Sequence, residues 1–401
     1  MSRDASQTCR SDLGPGYRPL RIRTLRLTNF RNFGELSVEF SDRRNVILGA
    51  NAEGKTNVLD AVHILGVGRS HRDRRDSNLI KFEEEYYRIE GVFDHIGVRT
   101  TIEVAYSSEG KRIRVNGKEA RGPDLIGLAA VVITSPDDID LIKGGPQLRR
   151  RFLDIAISQT SREYLRTLQQ YVRALAQRNV LLRDARDRGE KPNTAVWDRA
   201  LVETGAKVVA LRIGFLESLV PQVEADFNLI SAGRAALALV YEPRGYRAAG
   251  GANGAAGAAG AGGVPGEGDL AAALMEAVER NREGEIQRGY TLVGPHVDDF
   301  RFAADGRDIR QFGSEGEQRT AVLALRCAEA SAIRERLGKA PIVLLDDVFA
   351  ELDDARGAAL ISLISGFDQI VLTSSRESPL GAEKVHRIHL KDGRVTYDGQ
   401  A

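Results

Sequence analysis

An α/β architecture is predicted, with strand-and-helix sequence toward both ends of the chain and a mainly helical stretch between them. Three observations predict it. Residues 46–48 form a short apolar run that meets a Gly-rich turn and then a helical period. Residues 342–345 are continuously apolar and end in two carboxylates, as in a strand buried on both faces of a parallel sheet. Between them, residues 147–287 are more polar and carry mostly helical spacing. A chain of 401 residues is long enough for two or three packed domains.

Residues 1–18 mix Ser, Arg, Asp, Gly and Pro without periodicity, and a flexible extension is expected there. Leu25, Leu27, Leu36, Val38 and Phe40 alternate as strand residues do. From Lys55, the positions Val58, Leu59, Val62 and Leu65 follow the 3.6-residue period, and Gly66 and Gly68 end it. Leu165, Leu168, Val172, Leu175, Asn179 and Leu182, then Trp197, Leu201, Thr204, Val208, Leu211 and Phe215, alternate steps of three and four. Two helices joined near residues 189–193 are expected to pair, over too few heptads for a long coiled coil. Residues 248–268 are rich in Ala and Gly and read as a flexible insertion. Helical spacing returns at Leu270, Leu274, Ala277 and Val278, followed by expected strands at 290–293 and 300–302 and a helix from 316 to about 337. Asp354 is the expected cap of the next helix, 369–373 a buried strand, and Asp392-Gly393 a hairpin turn. The expected divisions are the extension 1–18, strand-and-helix sequence at 19–146, a mainly helical stretch at 147–288 holding the insertion 248–268, and strand-and-helix sequence again at 289–401.

Composition excludes more than it assigns. The 57 basic and 56 acidic residues nearly cancel, so a nucleic-acid surface has to be a local patch. Cys9 and Cys327 have no metal-like spacing and fit a reducing compartment. No apolar run reaches the roughly 20 residues that cross a bilayer, and a soluble, cytoplasmic protein without a membrane partner is expected.

The chemistry concentrates in three places. Gly49-Ala50-Asn51-Ala52-Glu53-Gly54-Lys55-Thr56 matches the P-loop pattern, whose backbone N–H groups cradle phosphates at a helix N-terminus. In it Lys55 reaches the β/γ-phosphates and Thr56 ligates Mg²⁺. Asp346 is the candidate second Mg²⁺ ligand at a strand's carboxyl end, and Asp347 the candidate base, one atom shorter than the Glu usual in ABC-type ATPases, so slow hydrolysis is expected. Ser314, Gly316 and Gln318 open a helix and form a candidate second anion site, while a capping box between Ser314 and Glu317 explains the loop equally well. Arg69, Arg72, Arg74 and Arg75, together with Arg150 and Arg151, are candidate phosphate contacts, although Asp73 and Asp76 interleave the first group. Arg173, Arg178, Arg183, Arg186 and Arg188 also suit a duplex, but charged outer positions of a helical hairpin are the plainer reading. His296 with Asp298 and Asp299 resembles a metal or catalytic cluster but lacks a third ligand at metal spacing, which favours a structural or head-interface role.

The order of these motifs resembles the RecF family, DNA-repair relatives of the SMC and ABC ATPases, over residues 20–400. The resemblance rests on Leu27-Thr28-Asn29-Phe30-Arg31-Asn32-Phe33, the P-loop continuing into Asn57, Gly68-Arg69-Ser70-His71-Arg72, Gly144-Gly145-Pro146 with Arg150 to Asp154, Gly294 to Asp299, and Asp346 to Asp353. It implies that 19–146 and 289–401 form one ABC/SMC-like ATPase head and 147–288 its inserted arm, with ATP and Mg²⁺ as cofactors and weak DNA-stimulated hydrolysis. It also implies ATP-dependent homodimers at single-strand gaps or junctions, with RecR and RecO as partners and RecA loading as the outcome. By the same resemblance Arg31 and Asn32 lie near the nucleotide, Ser314 meets the other protomer's γ-phosphate, and Asp353 belongs to the D-loop. Glu315 and Thr373 depart from transporter ATPases, which have Gly and a switch His there. The alternatives are an SMC-like DNA tether, which needs long heptads or a hook, and an ABC-type ATPase subunit of another complex.

Overall fold

The computed structural model describes residues 19–233, 235–246, 264–375 and 385–397. The expected extension 1–18 and most of the expected Ala/Gly insertion lie outside the described residues. The end of that insertion is helical, because a helix begins at Glu267. The chain divides into two compact units, Met1–Asp138 with Leu229–Ala232 and Leu323–Ala401, and Ile139–Asn228 with Gly233–Val322.

The first unit holds two six-stranded sheets. One joins β1 (Leu20–Phe30), β2 (Phe33–Glu39), β4 (Tyr87–His95), β5 (Val98–Ser107), β6 (Gly110–Val115) and β7 (Lys118–Ala120), all antiparallel, in the order β2-β1-β4-β5-β6-β7. The alternating residues set its register: Leu25 faces Val38 and Leu27 faces Leu36, all buried. The other joins β3 (Arg44–Leu48), β8 (Val131–Thr134), β12 (Ile342–Asp346), β13 (Ile370–Ser374), β14 (His386–Lys391) and β15 (Arg394–Tyr397). Its order is β15-β14-β3-β13-β12-β8, parallel except for the terminal hairpin. Asp392 and Gly393 turn that hairpin with φ of 51° and 69°, as a two-residue turn requires.

Helix α1 (Lys55–Val67) touches strands of both sheets, which is why ten of its thirteen residues are buried rather than one stripe. Gln369 ties the sheets polar group by polar group. Its amide accepts from the Ile22 N–H at 2.7 Å and donates to the Ile22 and Ser41 carbonyls at 2.9 and 2.8 Å.

The second unit is built on α2 (Pro146–Thr160), α3 (Arg162–Arg188), α4 (Ala195–Ser231, the last residues of which belong to the first unit) and α5 (Glu267–Arg288). A small sheet, β9 (Leu237–Glu242), β10 (Asp299–Ala304) and β11 (Arg307–Asp308), completes it. Two expectations fail here. Residues 290–293 are not a strand. Residues 289–322 cluster with the helical unit and not with the head, because β10 pairs with β9 along its whole length and Arg149 grips Asp299 through two hydrogen bonds of 2.7 and 2.9 Å. Helix α6 (Glu315–Leu337) begins among these residues and continues into the first unit.

Buried ion pairs organise this unit and remove some residues from candidacy as contacts. Arg178 is buried, bonded to Asp198 at 2.6 Å, Glu285 at 2.7 Å and Thr291 at 2.8 Å, so it cannot face a duplex. Arg150 donates to the Asp298 carbonyl at 2.7 Å and is half-buried, and burial lowers its pKa. Arg151 is also half-buried and engaged within the protein. His296 bonds the Tyr171 hydroxyl at 2.6 Å and the Thr291 carbonyl at 3.1 Å, and burial holds it down at about 4. Asp298 accepts from the Tyr241 hydroxyl at 2.8 Å and the Arg244 N–H at 2.9 Å, and burial pushes it up to about 6. The cluster is a polar latch, and among the described residues no group of three or more His, Cys, Asp or Glu is placed to hold a metal ion.

Candidate nucleotide site

Sheet register brings the site together. Asp346 on β12 stands beside Thr373 on β13, and Thr373 beside Ile47 on β3, so three parallel strands end level with one another. The loop 49–54 springs from β3 at this carboxyl edge and feeds α1, the usual place for a ligand in an open α/β sheet.

The loop's shape depends on two glycines. Gly54 has φ of 98°, and a Cβ there would meet Phe33 Cζ at 2.5 Å and Asn32 Nδ2 at 2.6 Å. A Cβ on Gly49 would lie 2.4 Å from the Leu390 carbonyl oxygen of β14. Asn32 braces the loop from the side, donating to the Glu53 carbonyl at 3.1 Å and accepting from Asn57 Nδ2 at 2.8 Å. Glu53 Oε2 accepts from the Asp392 N–H at 2.7 Å, so it fastens the loop to the hairpin. Arg31, at φ 57°, pairs with Asp73 and, at 3.5 Å, with Asp60.

Lys55 is buried and its ammonium donates to the Gly49 and Ala50 carbonyls at 2.7 and 2.9 Å, which arches it over the loop. Thr56 Oγ1 donates to Asp346 Oδ1 at 2.9 Å, and Thr373 Oγ1 donates to the same oxygen at 2.8 Å. Burial raises the Asp346 pKa, opposed by these two hydroxyls and by the charge of Arg72, while Asp347 pushes it further up. A carboxylate and a hydroxyl meeting at a buried strand end are hard oxygen donors and fit a divalent cation such as Mg²⁺. Asp347 sits in the left-handed region at φ 47°, held there by its N–H donating to Thr373 Oγ1 at 2.9 Å. One threonine therefore positions both carboxylates. In the sequence Thr373 stands out as the end of a buried strand and as the place of a transporter's switch His, neither of which points to this role.

Around this core, the structure separates the remaining candidates. Asp60, inside α1, accepts from Ser70 Oγ and the His71 N–H, each at 2.7 Å, and so anchors the basic segment beside the P-loop helix. No spacing in the sequence pointed to it. Arg69, Arg72, Arg74 and Arg75 are exposed. The interleaved acids are occupied elsewhere: Asp73 pairs with Arg31, and Asp76 accepts from Lys111 at 2.6 Å and Tyr87 at 2.8 Å. Arg72 lies 3.6 Å from Asp137.

In the second unit, Ser314 and Glu317 form the capping box. Ser314 N–H and Oγ both donate to Glu317 Oε2 at 2.8 Å, and the Glu317 N–H returns to Ser314 Oγ at 3.3 Å. Ser314 is exposed and Gly316 half-buried, but Gln318 is buried, donating to the Ile309 and Gly313 carbonyls at 3.1 and 3.2 Å. Gln318 thus folds the loop from beneath. Asp353, not Asp354, caps α7 (Asp354–Ile364), accepting from the Arg356 N–H at 2.9 Å.

Known proteins share this fold. A family model described as the RecF/RecN/SMC N terminal domain matches residues 21–396. The DNA replication and repair protein RecF of Moorella thermoacetica is 39% identical over 372 residues, covering 92% of this chain and 94% of that protein. RecF of Bacillus subtilis is 37% identical over 360 residues, covering 88% and 93%. A solved structure described as the recombination mediator protein RecF-ATP in the RecFOR pathway superposes with a TM-score of 0.85 at 31% identity, over 96% of this chain and all of that one. An Smc head bound to the C-terminal winged-helix domain of ScpA shares the fold alone, with a TM-score of 0.51 at 18% identity. With an ABC/SMC-like ATPase head, a P-loop facing a strand-end carboxylate and relatives matched over nearly their whole length, the chain belongs to the RecF family of DNA replication and repair proteins.

Proposed function

We propose that the chain binds ATP with Mg²⁺, closes on a second copy around two nucleotides, and hydrolyses them slowly while seated on DNA at single-strand gaps or junctions. The observation that carries this reading is the convergence of Lys55, Thr56 and Asp346 at one sheet edge, with Thr56 Oγ1 2.9 Å from Asp346 Oδ1. Backbone N–H groups of 49–56 hold the phosphates, Lys55 neutralises the β/γ oxygens, and Thr56 with Asp346 holds the cation. Mg²⁺, when bound, offsets charge that builds on the phosphate oxygens. The Asp347 carboxylate takes the proton of the attacking water, and its short side chain makes that step slow.

Ser314 supplies the other half of the site to the partner's nucleotide. It is exposed at the start of a 23-residue helix, whose first N–H groups have no intrahelical acceptor. Ser314→Arg is expected to weaken ATP-dependent dimerisation at least about tenfold by blocking that end of the helix. Light scattering with and without ATP measures it; a variant that dimerises normally removes the composite site.

Thr373→Val takes away both the donor to Asp346 and the acceptor of the Asp347 N–H. Leaving such groups unpaired costs about 1–3 kcal/mol, so turnover is expected to fall about tenfold or more while nucleotide affinity changes less. Thr373→Ser should restore turnover, and failure of that rescue would show that bulk, not the hydroxyl, matters.

DNA contact fits Arg69, Arg74 and Arg75, which stay exposed after Asp73 and Asp76 are neutralised by partners outside the segment. Together with RecR and RecO, as the RecFOR pathway named for the solved relatives indicates, the ATP-bound dimer promotes RecA loading and hydrolysis releases it. Binding of gapped, single-stranded and duplex DNA with ATP at two salt concentrations tests this directly. A steep salt slope with preference for gapped DNA is expected, and equal affinity for all three at either salt rejects the gap reading.

A further inference from the structure

One face of α3 carries Val172, Ala176 and Val180 at every fourth position, all exposed. At 1.5 Å per residue they form an apolar stripe about 12 Å long. It is not the core face of the helix, which is made by Tyr164, Tyr171, Ala174, Arg178 and Leu182. The stripe runs into a concavity of about 430 Å³ whose lining includes Val180, Tyr290, Arg183, Arg186 and Arg288, and no carboxylate. Tyr290 is half exposed.

The three guanidinium groups are sparingly used. Arg186 donates to Asp187 at 2.9 Å and to the Arg288 carbonyl at 3.2 Å. Among the described residues, Arg183 donates to the Asn179 carbonyl of its own helix at 3.2 Å and neither Arg183 nor the Arg288 side chain has an ion pair. The negative ends of α3 and α5 account for arginines at this place. They do not account for an exposed aliphatic stripe leading into them.

We propose that this face docks an acidic amphipathic segment of another protein. Its apolar side chains lie along Val172, Ala176 and Val180, and its carboxylates meet Arg183 and Arg288 at the mouth of the concavity. Charge complementarity and the stripe's helical spacing select this occupant. A single nucleic-acid strand needs successive aromatic platforms, and Tyr290 is the single aromatic residue in the lining, beside aliphatic side chains.

The test uses the full chain and three fluorescein-labelled probes in anisotropy titrations. They are a peptide of about five helical turns with Leu on one face and Glu clustered at one end, the same peptide with Lys for Glu, and an oligothymidine. The acidic peptide is expected to bind saturably and about tenfold or more tighter than the Lys peptide, and Val180→Asp and Arg288→Glu are each expected to weaken it about tenfold. Both positions are exposed, and an unchanged urea midpoint shows that the variants are folded. Equal binding of the two peptides, no saturable binding, or unchanged affinity in both variants overturns the proposal. Variants that lose the oligothymidine and keep the peptide assign the face to single-stranded nucleic acid and overturn it equally.

Discussion

Lys55→Ala is expected to lower ATP turnover by about 10²–10³-fold, the usual loss when one preorganised donor to developing negative charge is removed. Lys55 is buried and its two bonds to the Gly49 and Ala50 carbonyls fix where its charge sits. Little of that loss can be recovered by solvent, because water does not reproduce a fixed ammonium at that point. Nucleotide affinity should fall with turnover, since the same charge holds the ground-state phosphates. Asp347→Asn separates the two effects: it keeps Lys55, Thr56 and Asp346 and is expected to bind ATP normally but turn it over more slowly, prolonging residence on DNA. Steady-state turnover together with nucleotide titration distinguishes the pair. Unchanged turnover in Asp347→Asn would remove that carboxylate from the role of base, and unchanged turnover in Lys55→Ala would place the nucleotide elsewhere.

Arg178→Ala is expected to destabilise the protein by about 3 kcal/mol, toward the lower end of the cost of breaking a buried ion pair. Arg178 is 1% exposed and bridges Asp198 and Glu285, tying α3 to α4 and α5. After its removal Asp198 still receives Thr194 and Arg282, both at 2.8 Å, which limits the damage on that side. Glu285 is completely buried and, among the described residues, keeps the Leu292 N–H at 2.8 Å as its remaining side-chain partner, so the penalty falls mainly there. Urea unfolding measures the change. Arg183→Ala, five residues along the same helix but exposed, should stay within about 0.5 kcal/mol. Similar midpoints for the two variants would show that the buried bridge carries no net stability.

Which parts of this protein could be read without coordinates follows from what each motif depends on. The P-loop and the Asp346-Asp347 strand end are local patterns: neighbouring residues make the turn, the helix start and the buried strand. Leu25, Leu27, Leu36 and Val38 likewise announced β1 and β2, and Asp392-Gly393 its hairpin. Charge, by contrast, was ambiguous in one dimension. Arg69 to Arg75 looked like a solvated mixed run until folding gave Asp73 to Arg31 and Asp76 to Lys111. Arg178 looked like an outer helical charge, and Arg150 like part of a basic patch, until each was found holding buried acceptors.

The sequence by itself determined the α/β class, the RecF-family head and the candidate residues for a nucleotide, because these are set by residue type and spacing along one strand–loop–helix. Only the tertiary structure decided that Thr373 positions both carboxylates, that Gln318 lies under its loop while Ser314 stays exposed, and that residues 289–322 belong with the helical unit. The first and last depend on strand register or on a partner distant in sequence, and Gln318 on how its own loop turns back over it. A hydrogen bond from residue 373 to residue 346 exists only because two parallel strands stop at the same level, and no local pattern records that.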